Sequence, residues 1–173
     1  MREKIGVKER DRETESLNKY EMVLYQRKKF AEQQMTAKVV IHDSDREWEA
    51  TRQGRIKYYL QPYSFTDHAL RDWLVFSHDI RVHGGRHKHQ GGAVAIFVLE
   101  GKGYSVIDGV HYDWEEGDLI LLPNKPGGVD HQHFNSELGK SCKWIAFIYL
   151  PFHNSLASVT TQVELSPDYS PKA

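Results

Sequence analysis

One stretch decides the fold: residues 87–101, which read HKHQGGAVAIFVLEG. Side chains two residues apart in a strand point to the same face, so a strand here aims the imidazoles of His87 and His89 at one point. A barrel brings distant strands together across its interior, which lets a third imidazole, from His131 or His133, reach that point. Three converging imidazoles suit a first-row transition metal. The pattern predicts a metal site inside a β-barrel.

A second stretch, residues 117–135, reads GDLILLPNKPGGVDHQHFN. Together the two stretches resemble the paired motifs of the cupin superfamily: a glycine, His-x-His and a closing glycine, then G-x5-P-x-G-x2-H-x3-N. The matching residues are Gly84 or Gly85, His87, His89, Gly101 or Gly103, Gly117, Pro123, Gly127, His131 and Asn135, with a longer spacing between the proline and the histidine than the motif has. The resemblance covers about the last hundred residues. It implies an all-β fold, the double-stranded β-helix or jelly-roll barrel.

The sequence departs from most cupins after the His-x-His pair. Residues 90–94 read QGGAV and lack the glutamate that most cupins use as a carboxylate ligand, and Glu100 stands too far along the strand to replace it. The chain therefore resembles the gentisate 1,2-dioxygenase-like cupins, which have three histidine ligands. Their strand ending in VLEG, their GDL-x-L-x-P run and their final His-x-His all have counterparts here.

The resemblance assigns roles to individual histidines. It makes His87, His89 and His131 the metal ligands, because the spacing of histidine, three residues and asparagine selects His131. It makes His133 the catalytic histidine, a donor that lines the pocket or an acid-base group. Arg86 and Arg81 stand close by in the sequence, and we predict that they bind a substrate carboxylate.

Three neutral ligands leave a divalent metal with its full charge, which favours an anionic chelating ligand. We predict a mononuclear non-haem Fe(II) dioxygenase that acts with O2 on a small, hydroxylated aromatic acid; Mn, Ni and Zn are the other metals that imidazoles accept. Gentisate enzymes resemble each other as two-cupin chains with an arginine after the His-x-His, where this chain has Ala95 and Ile96. Two alternatives stay open: a metal-dependent lyase, isomerase or hydrolase, and a cupin that binds metal or a small molecule without turnover.

Composition limits the partners. The net charge of −1 gives no general attraction to nucleic acid or to an anionic membrane. The chain has one cysteine, and it has neither a secretory signal nor an apolar run of membrane-spanning length. We therefore expect a cytoplasmic protein that binds neither nucleic acid nor membrane.

The order of elements predicts three parts. Residues 1–60 form a helical and extended arm, residues 61–155 the barrel and residues 156–173 a loosely attached tail. Within the arm, apolar periodicity predicts a helix over about residues 15–38. A short strand follows at residues 38–41, and capping-box spacing predicts a second helix over residues 44–52.

Two further expectations concern the barrel. Asp108-Gly109 between apolar runs predicts a hairpin. Arms of this kind often cross to a second subunit in cupins, so the resemblance implies a homodimer or a higher homo-oligomer.

Overall fold

The computed structural model of the chain describes residues 16–90 and 93–170. Contacts divide it into two compact units. Among the described residues, the first consists of residues 16–39 with Asp67–Ala69, and the second of Val40–Thr66 with residues 70–90 and 93–170. No helix among the described residues is both long enough and apolar enough to span a membrane.

The helix predicted near the start of the chain is present as α1, Lys19–Thr36. It begins after Asn18, whose side chain accepts hydrogen bonds from the backbone amides of Tyr20 and Glu21. The Glu21 side chain accepts in turn from the Asn18 amide, which completes a capping box. None of the α1 residues is buried. The predicted strand at residues 38–41 is wrong, because the β-pairing of this segment is a single isolated bridge, between Lys38 and His68.

The second predicted helix, over residues 44–52, is also wrong. A three-residue 3-10 helix, Asp43–Asp45, stands at its start, and Trp48–Thr51 forms strand β1. β1 pairs in antiparallel register with β2, Gly54–Leu60. Tryptophan and threonine favour strands, and the hairpin hydrogen bonds outweigh the local capping signal.

The remaining strands are β3 (Trp73–Asp79), β4 (His87–His89), β5 (Val94–Glu100), β6 (Lys102–Ile107), β7 (Val110–Glu115), β8 (Leu119–Leu122), β9 (Val129–Asn135), β10 (Lys143–Tyr149) and β11 (Thr160–Gln162). They form two sheets, of order β1-β2-β3-β10-β5-β8 and β11-β4-β9-β6-β7. The fold is all-β, a cupin-type jelly roll with an N-terminal helix, as the sequence predicts. β1 and β2, which the sequence assigned to the arm, belong to the six-stranded sheet.

The predicted hairpin between β6 and β7 is confirmed. Asp108 and Gly109 connect the strands with φ values of 51° and 84°, the two successive positive values that a type I′ turn requires. Asp108 is further held by Lys125, which pairs with its carboxylate. The turn fixes the register of β6, and β6 in turn pairs with β9.

The two sheets enclose one hydrophobic core. Alternate side chains of β5 and β10 are buried, among them Ile96, Val98 and Trp144, at 4% exposure or less. The opposite face of the six-stranded sheet carries large apolar side chains that are 38% to 62% exposed; we call this the outer apolar face, and it consists of Phe97, Leu99, Leu119, Leu121, Phe147 and Tyr149.

The C-terminal segment is structured rather than loosely attached. After β10 the chain forms a short helix, α2 (Leu150–Ser155), and then β11, which pairs with β4. Ser166 donates a hydrogen bond to the carbonyl of His83, and the Gln162 side chain donates to that of Arg86. β4 therefore lies between β9 and β11, so both of its edges are hydrogen-bonded.

Candidate metal centre

Two adjacent antiparallel strands carry the paired histidines. β4 supplies His87 and His89, and β9 supplies His131 and His133. His87 stands directly opposite His131 in the register. Because side chains alternate along a strand, all four imidazoles face the barrel interior. The His-x-His pattern and the strand pairing together produce this convergence.

Three of these imidazoles form a cluster. The ring centroid of His131 lies 4.2 Å from that of His87 and 4.9 Å from that of His89. One ring nitrogen from each of the three lies within 4.8 Å of the others. His133 stands beside the cluster, with its ring centroid 5.3 Å from that of His131. The cluster consists of the three histidines that the resemblance implies as ligands, and no carboxylate belongs to it among the described residues.

The chemistry of the cluster fits a divalent metal. The His87 Nδ1 lies 3.0 Å from the carbonyl of Gly85, so it donates there and leaves Nε2 with a free lone pair. The His131 Nδ1 is buried and has no hydrogen-bond partner among the residues that the structure describes. Burial lowers the pKa of His87 and lowers the pKa of His131 well below the ordinary value, so both rings are neutral at neutral pH. Neutral imidazole is the form that binds metal.

The cluster opens onto a cavity of about 150 Å³. Its walls are mainly apolar and aromatic, and its polar lining consists largely of histidine. The lining residues are Gln53, Tyr58, Leu74, Phe76, His78, Gly84, Gly85, His87, His89, Val94, Ile96, Leu122, His131, His133, Trp144, Ala146, Ile148, His153 and Thr160. No lysine, arginine, aspartate or glutamate is among these residues, as far as the described parts of the chain extend.

His133 is fixed by a buried hydrogen-bond chain. Its Nδ1 lies 2.7 Å from the Oγ of Ser105, which stands opposite it in the β6–β9 register. The indole Nε1 of Trp114 donates to the same Oγ over 2.8 Å. Burial lowers the pKa of His133 to about 3, so its imidazole is neutral at neutral pH.

The two predicted substrate-binding arginines lie elsewhere. Arg86 makes a two-point ion pair with Asp130, with both nitrogen–oxygen distances at 2.8 Å. Arg81 is exposed, and its guanidinium lies 4.0 Å from the carboxylate of Asp168. Neither arginine lines the cavity. Glu100 pairs with Lys143 and also lies outside the cavity lining.

The structure adds two histidines to the lining that sequence reasoning left without a role. His78 is fully buried, packs edge-on against Trp144 at 5.0 Å between ring centroids, and has a pKa lowered to about 3 by burial. Its alternation with Leu74 and Phe76 along β3 was a signal that it faces inward. His153 lies in α2, and its ring centroid is 6.3 Å from that of His89. No pattern in the sequence predicts its place.

Gly128 supports β4 by its lack of a side chain. A Cβ at this position would lie 2.4 Å from the carbonyl oxygen of His89, and its φ is +79°. Gly127, its neighbour, has the same backbone conformation, at φ +80°, but open space around the Cβ position. A comparison of substitutions at Gly127 and Gly128 therefore distinguishes the effect of backbone strain from the effect of contact with β4.

We expect Gly127→Ala to lower the free energy of unfolding by about 1–2 kcal/mol, the cost of a left-handed backbone for a residue with a Cβ. Gly128→Ala should lower it further and should also weaken Zn(II) binding, because the His89 carbonyl must move. Urea unfolding and a Zn(II) titration of both variants measure the two effects. Equal effects of the two substitutions would contradict the proposed support of β4.

Comparison with known proteins finds a family model that matches part of the barrel. The family model described as Cupin domain matches residues 80–148, which include both histidine pairs. Residues 80–148 thus match a cupin domain, and they contain the three-histidine cluster. No curated protein sequence matches the chain.

Two solved structures share the fold. Salicylate 1,2-dioxygenase from Pseudoaminobacter salicylatoxidans, in its adduct with gentisate, aligns with a TM-score of 0.53 and 17% identity over 78% of this chain. This chain covers 35% of that one, about a third of its length. A variant of Pac13 from Streptomyces with uridine aligns at 0.53 and 12% identity, over 76% of this chain and 96% of that one. Pac13 is described as a nucleoside dehydratase. At these identities the likeness concerns the fold.

Proposed function

We propose that this protein is a mononuclear non-haem Fe(II) dioxygenase that acts on a small, chelating, hydroxylated aromatic acid. The observation that carries this proposal is an all-histidine cluster at the wall of a largely apolar cavity, with no carboxylate from the described part of the chain in the cluster. Of the two similar structures, the salicylate 1,2-dioxygenase is described in an adduct with gentisate, an acid of this class.

The charge in the cavity favours an anionic chelate. Three neutral imidazoles leave the metal its full +2 charge, and no arginine or lysine among the described residues lines the cavity. The charge of an acidic ligand must then be balanced by the metal itself. A phenolate with an adjacent carboxylate places both of its anionic oxygens on one cation. Arg81 and Arg86 stay predictions as substrate-binding residues, without support from their positions.

The size and walls of the cavity favour a single aromatic ring. An engineered apolar cavity of about 150 Å³ binds one benzene molecule, and this cavity has the same volume. Tyr58, Phe76 and Trp144 offer ring faces and edges to a planar ligand. These side chains also exclude water, which strengthens the electrostatic contacts inside.

The residues of the chain have separate tasks in this proposal. His87, His89 and His131 would hold the metal, and His133 would contact the ligand beside it. A bound Fe(II) would supply open coordination positions and the electrons that activate O2. The protein orients the ligand by its cavity walls and keeps the imidazoles neutral by burial.

A metal-dependent lyase, isomerase or hydrolase is the second candidate. The observation that favours it is the match with Pac13, described as a nucleoside dehydratase, of which this chain covers 96%, against 35% for the dioxygenase. A metal in the same cluster would then polarise a carbonyl or a water molecule and would need no O2. A cupin that binds metal or a small molecule without turnover is the remaining alternative.

The decisive experiment measures metal and O2 together. Protein purified under anaerobic conditions is analysed for its metal, and O2 uptake is followed with salicylate, gentisate and other hydroxylated aromatic acids. We expect bound iron and O2 uptake that depends on one of these acids, both lost in His131→Ala. Turnover that continues without O2 would support the Lewis-acid alternative, and metal binding with no turnover of any acid would support the binding protein.

We also propose that the chain forms a homodimer through the outer apolar face. Its six side chains lie on the adjacent strands β8, β5 and β10, so they form one continuous patch. Exposed apolar patches of this kind mark interaction sites, and a twofold axis lets one patch pack against its own copy. The cytoplasm stays the predicted location.

The dimer has a direct test. We expect Leu121→Lys and Phe147→Lys to convert a dimer to a monomer, because each places a charge within the apolar interface. Light scattering coupled to size exclusion measures the mass. Leu138→Lys is the control, because Leu138 is 69% exposed and lies outside the patch. A wild-type monomer, or dimers that survive both lysines, would contradict this interface.

A further inference from the structure

The hydrogen-bond chain from Trp114 through Ser105 to His133 determines which ring nitrogen of His133 carries the proton. We propose that Ser105, itself held by Trp114, fixes His133 in the tautomer that presents an Nε2–H donor to an oxygen atom of the bound ligand. Ser105 is then a positioning residue, and His133 is a hydrogen-bond donor in the cavity instead of a proton acceptor.

The first step is the direction of each hydrogen bond. An indole nitrogen only donates, so Ser105 Oγ accepts from Trp114 over 2.8 Å. The hydroxyl hydrogen of Ser105 then needs an acceptor, because the side chain has 0% exposure. His133 Nδ1, at 2.7 Å, is the acceptor that the described residues offer. If Nδ1 were protonated, two donors would point at Oγ and the hydroxyl hydrogen would be buried without a partner.

The second step follows from the chemistry of imidazole. In the neutral ring one nitrogen accepts and the other donates, so an accepting Nδ1 leaves the hydrogen on Nε2. This Nε2 is buried and has no hydrogen-bond partner within the described residues. His133 lines the cavity, and Trp144 packs against its ring at 5.2 Å between centroids. An unpaired buried donor at a cavity wall is satisfied when the occupant supplies an acceptor.

The position of the donor defines the ligand chemistry. The His133 ring lies 5.3 Å from that of His131, so an oxygen on Nε2–H would lie beside the atoms that the cluster binds. Such a ligand has two atoms that chelate the metal and a further oxygen that accepts the hydrogen bond. An ionised carboxylate, a phenolate or a carbonyl group supplies an oxygen of this kind. A protonated amine at the same place would meet a donor and be rejected. This choice of ligand rests on the proposed function, whereas the tautomer does not.

The tautomer is tested on metal-free protein by NMR of the histidine side chains labelled with ¹⁵N. We expect a non-protonated Nδ1 and a protonated Nε2 for His133, assigned by the loss of its signals in His133→Gln. We also expect a slowly exchanging Ser105 hydroxyl proton that is coupled to Nδ1 across the hydrogen bond. A protonated Nδ1 at His133 would overturn the proposal.

The donor role is tested by the affinity of the Zn(II)-loaded protein for salicylate, a chelating probe that Zn(II) does not oxidise. We expect His133→Leu to weaken binding by roughly 10- to 100-fold, the value of a hydrogen bond to a charged group. His133→Gln keeps an N–H donor near the Nε2 position and should restore most of this loss. Ser105→Ala should weaken binding by roughly three- to tenfold. A glutamine variant as weak as the leucine variant would overturn the donor role.

A matched control variant and the Zn(II) titration distinguish a failure of this proposal from a failure of the proposed function. Ser77→Ala removes another buried serine hydroxyl, from β3 and away from the cavity lining, and should leave salicylate binding unchanged. A loss in Ser77→Ala equal to that in Ser105→Ala would overturn the positioning role. If the protein failed to bind Zn(II), the proposed function would fail, and the NMR result on the metal-free protein would still decide the tautomer.

Discussion

Alanine in place of His87, His89 or His131 should abolish metal binding while the barrel stays folded. Each substitution leaves two imidazoles in the cluster, and no carboxylate of the described residues lines the cavity to replace the third. Loss of a residue that hydrogen-bonds to a metal ligand lowers the metal affinity by roughly 10- to 100-fold. We expect the loss of a ligand itself to lower the metal affinity by more than this. Metal analysis after anaerobic purification measures the metal content. A Co(II) titration measures the metal affinity, and far-UV circular dichroism shows whether the barrel stays folded.

Two further alanine variants are the controls. His111→Ala changes an exposed histidine on β7 that stacks on Tyr104, and it should leave the metal content unchanged. His133→Ala should keep the metal and lose turnover, because His133 stands outside the cluster. If His133→Ala lost the metal and His131→Ala kept it, the third ligand would be His133.

The metal-free protein should lose stability steeply as the pH falls below about 6.5. Burial lowers the pKa of His78 and of His133 to about 3, whereas unfolded histidine titrates near 6.5. Between these pH values the unfolded chain binds protons that the native state does not bind. The free energy of unfolding therefore increases as the pH rises and decreases as the pH falls. The two groups together account for about 4 kcal/mol between pH 7.5 and 5. The lowered pKa of His131 acts in the same direction.

Urea unfolding in the presence of a chelator, at pH 7.5 and pH 5, measures this loss. His78→Leu should halve the pH dependence that we assign to the pair, because one buried imidazole is removed. Ser77→Ala should leave it unchanged, since it alters a buried side chain that does not titrate between these pH values. A pH dependence that stays the same in His78→Leu would mean that His78 takes up its proton in the folded state.

The sequence predicted most of the barrel because its strands carry strong local signals. The apolar run of β5, the Asp108-Gly109 turn and the two His-x-His strands each specify their own conformation. The prediction failed at residues 44–52, where the capping-box spacing is genuine but a hairpin partner, β2, is available. A local signal of about 1 kcal/mol is outweighed by the hydrogen bonds and packing of a whole sheet edge.

The cavity was less predictable than the barrel. Ser105 and Trp114 read as ordinary strand residues, and only the register of β6 against β7 and β9 brings both to His133. Arg86 is one residue from His87 in the sequence, yet strand alternation turns its side chain outward to Asp130. Closeness along the chain was therefore a poor guide to the cavity lining.

The sequence by itself determined the main strands, the turn between β6 and β7 and the set of histidines that can converge, because strand alternation and turn chemistry are local properties. The jelly-roll topology followed from the resemblance to cupins. The tertiary structure alone decided that His78 and His153 line the cavity and that β11 pairs with the edge of β4. It also decided that no lysine or arginine among the described residues lines the cavity. These features depend on which strands become neighbours and in what register. The pairing and register of the strands are determined by the burial of the whole hydrophobic core, which the sequence of a single segment does not specify.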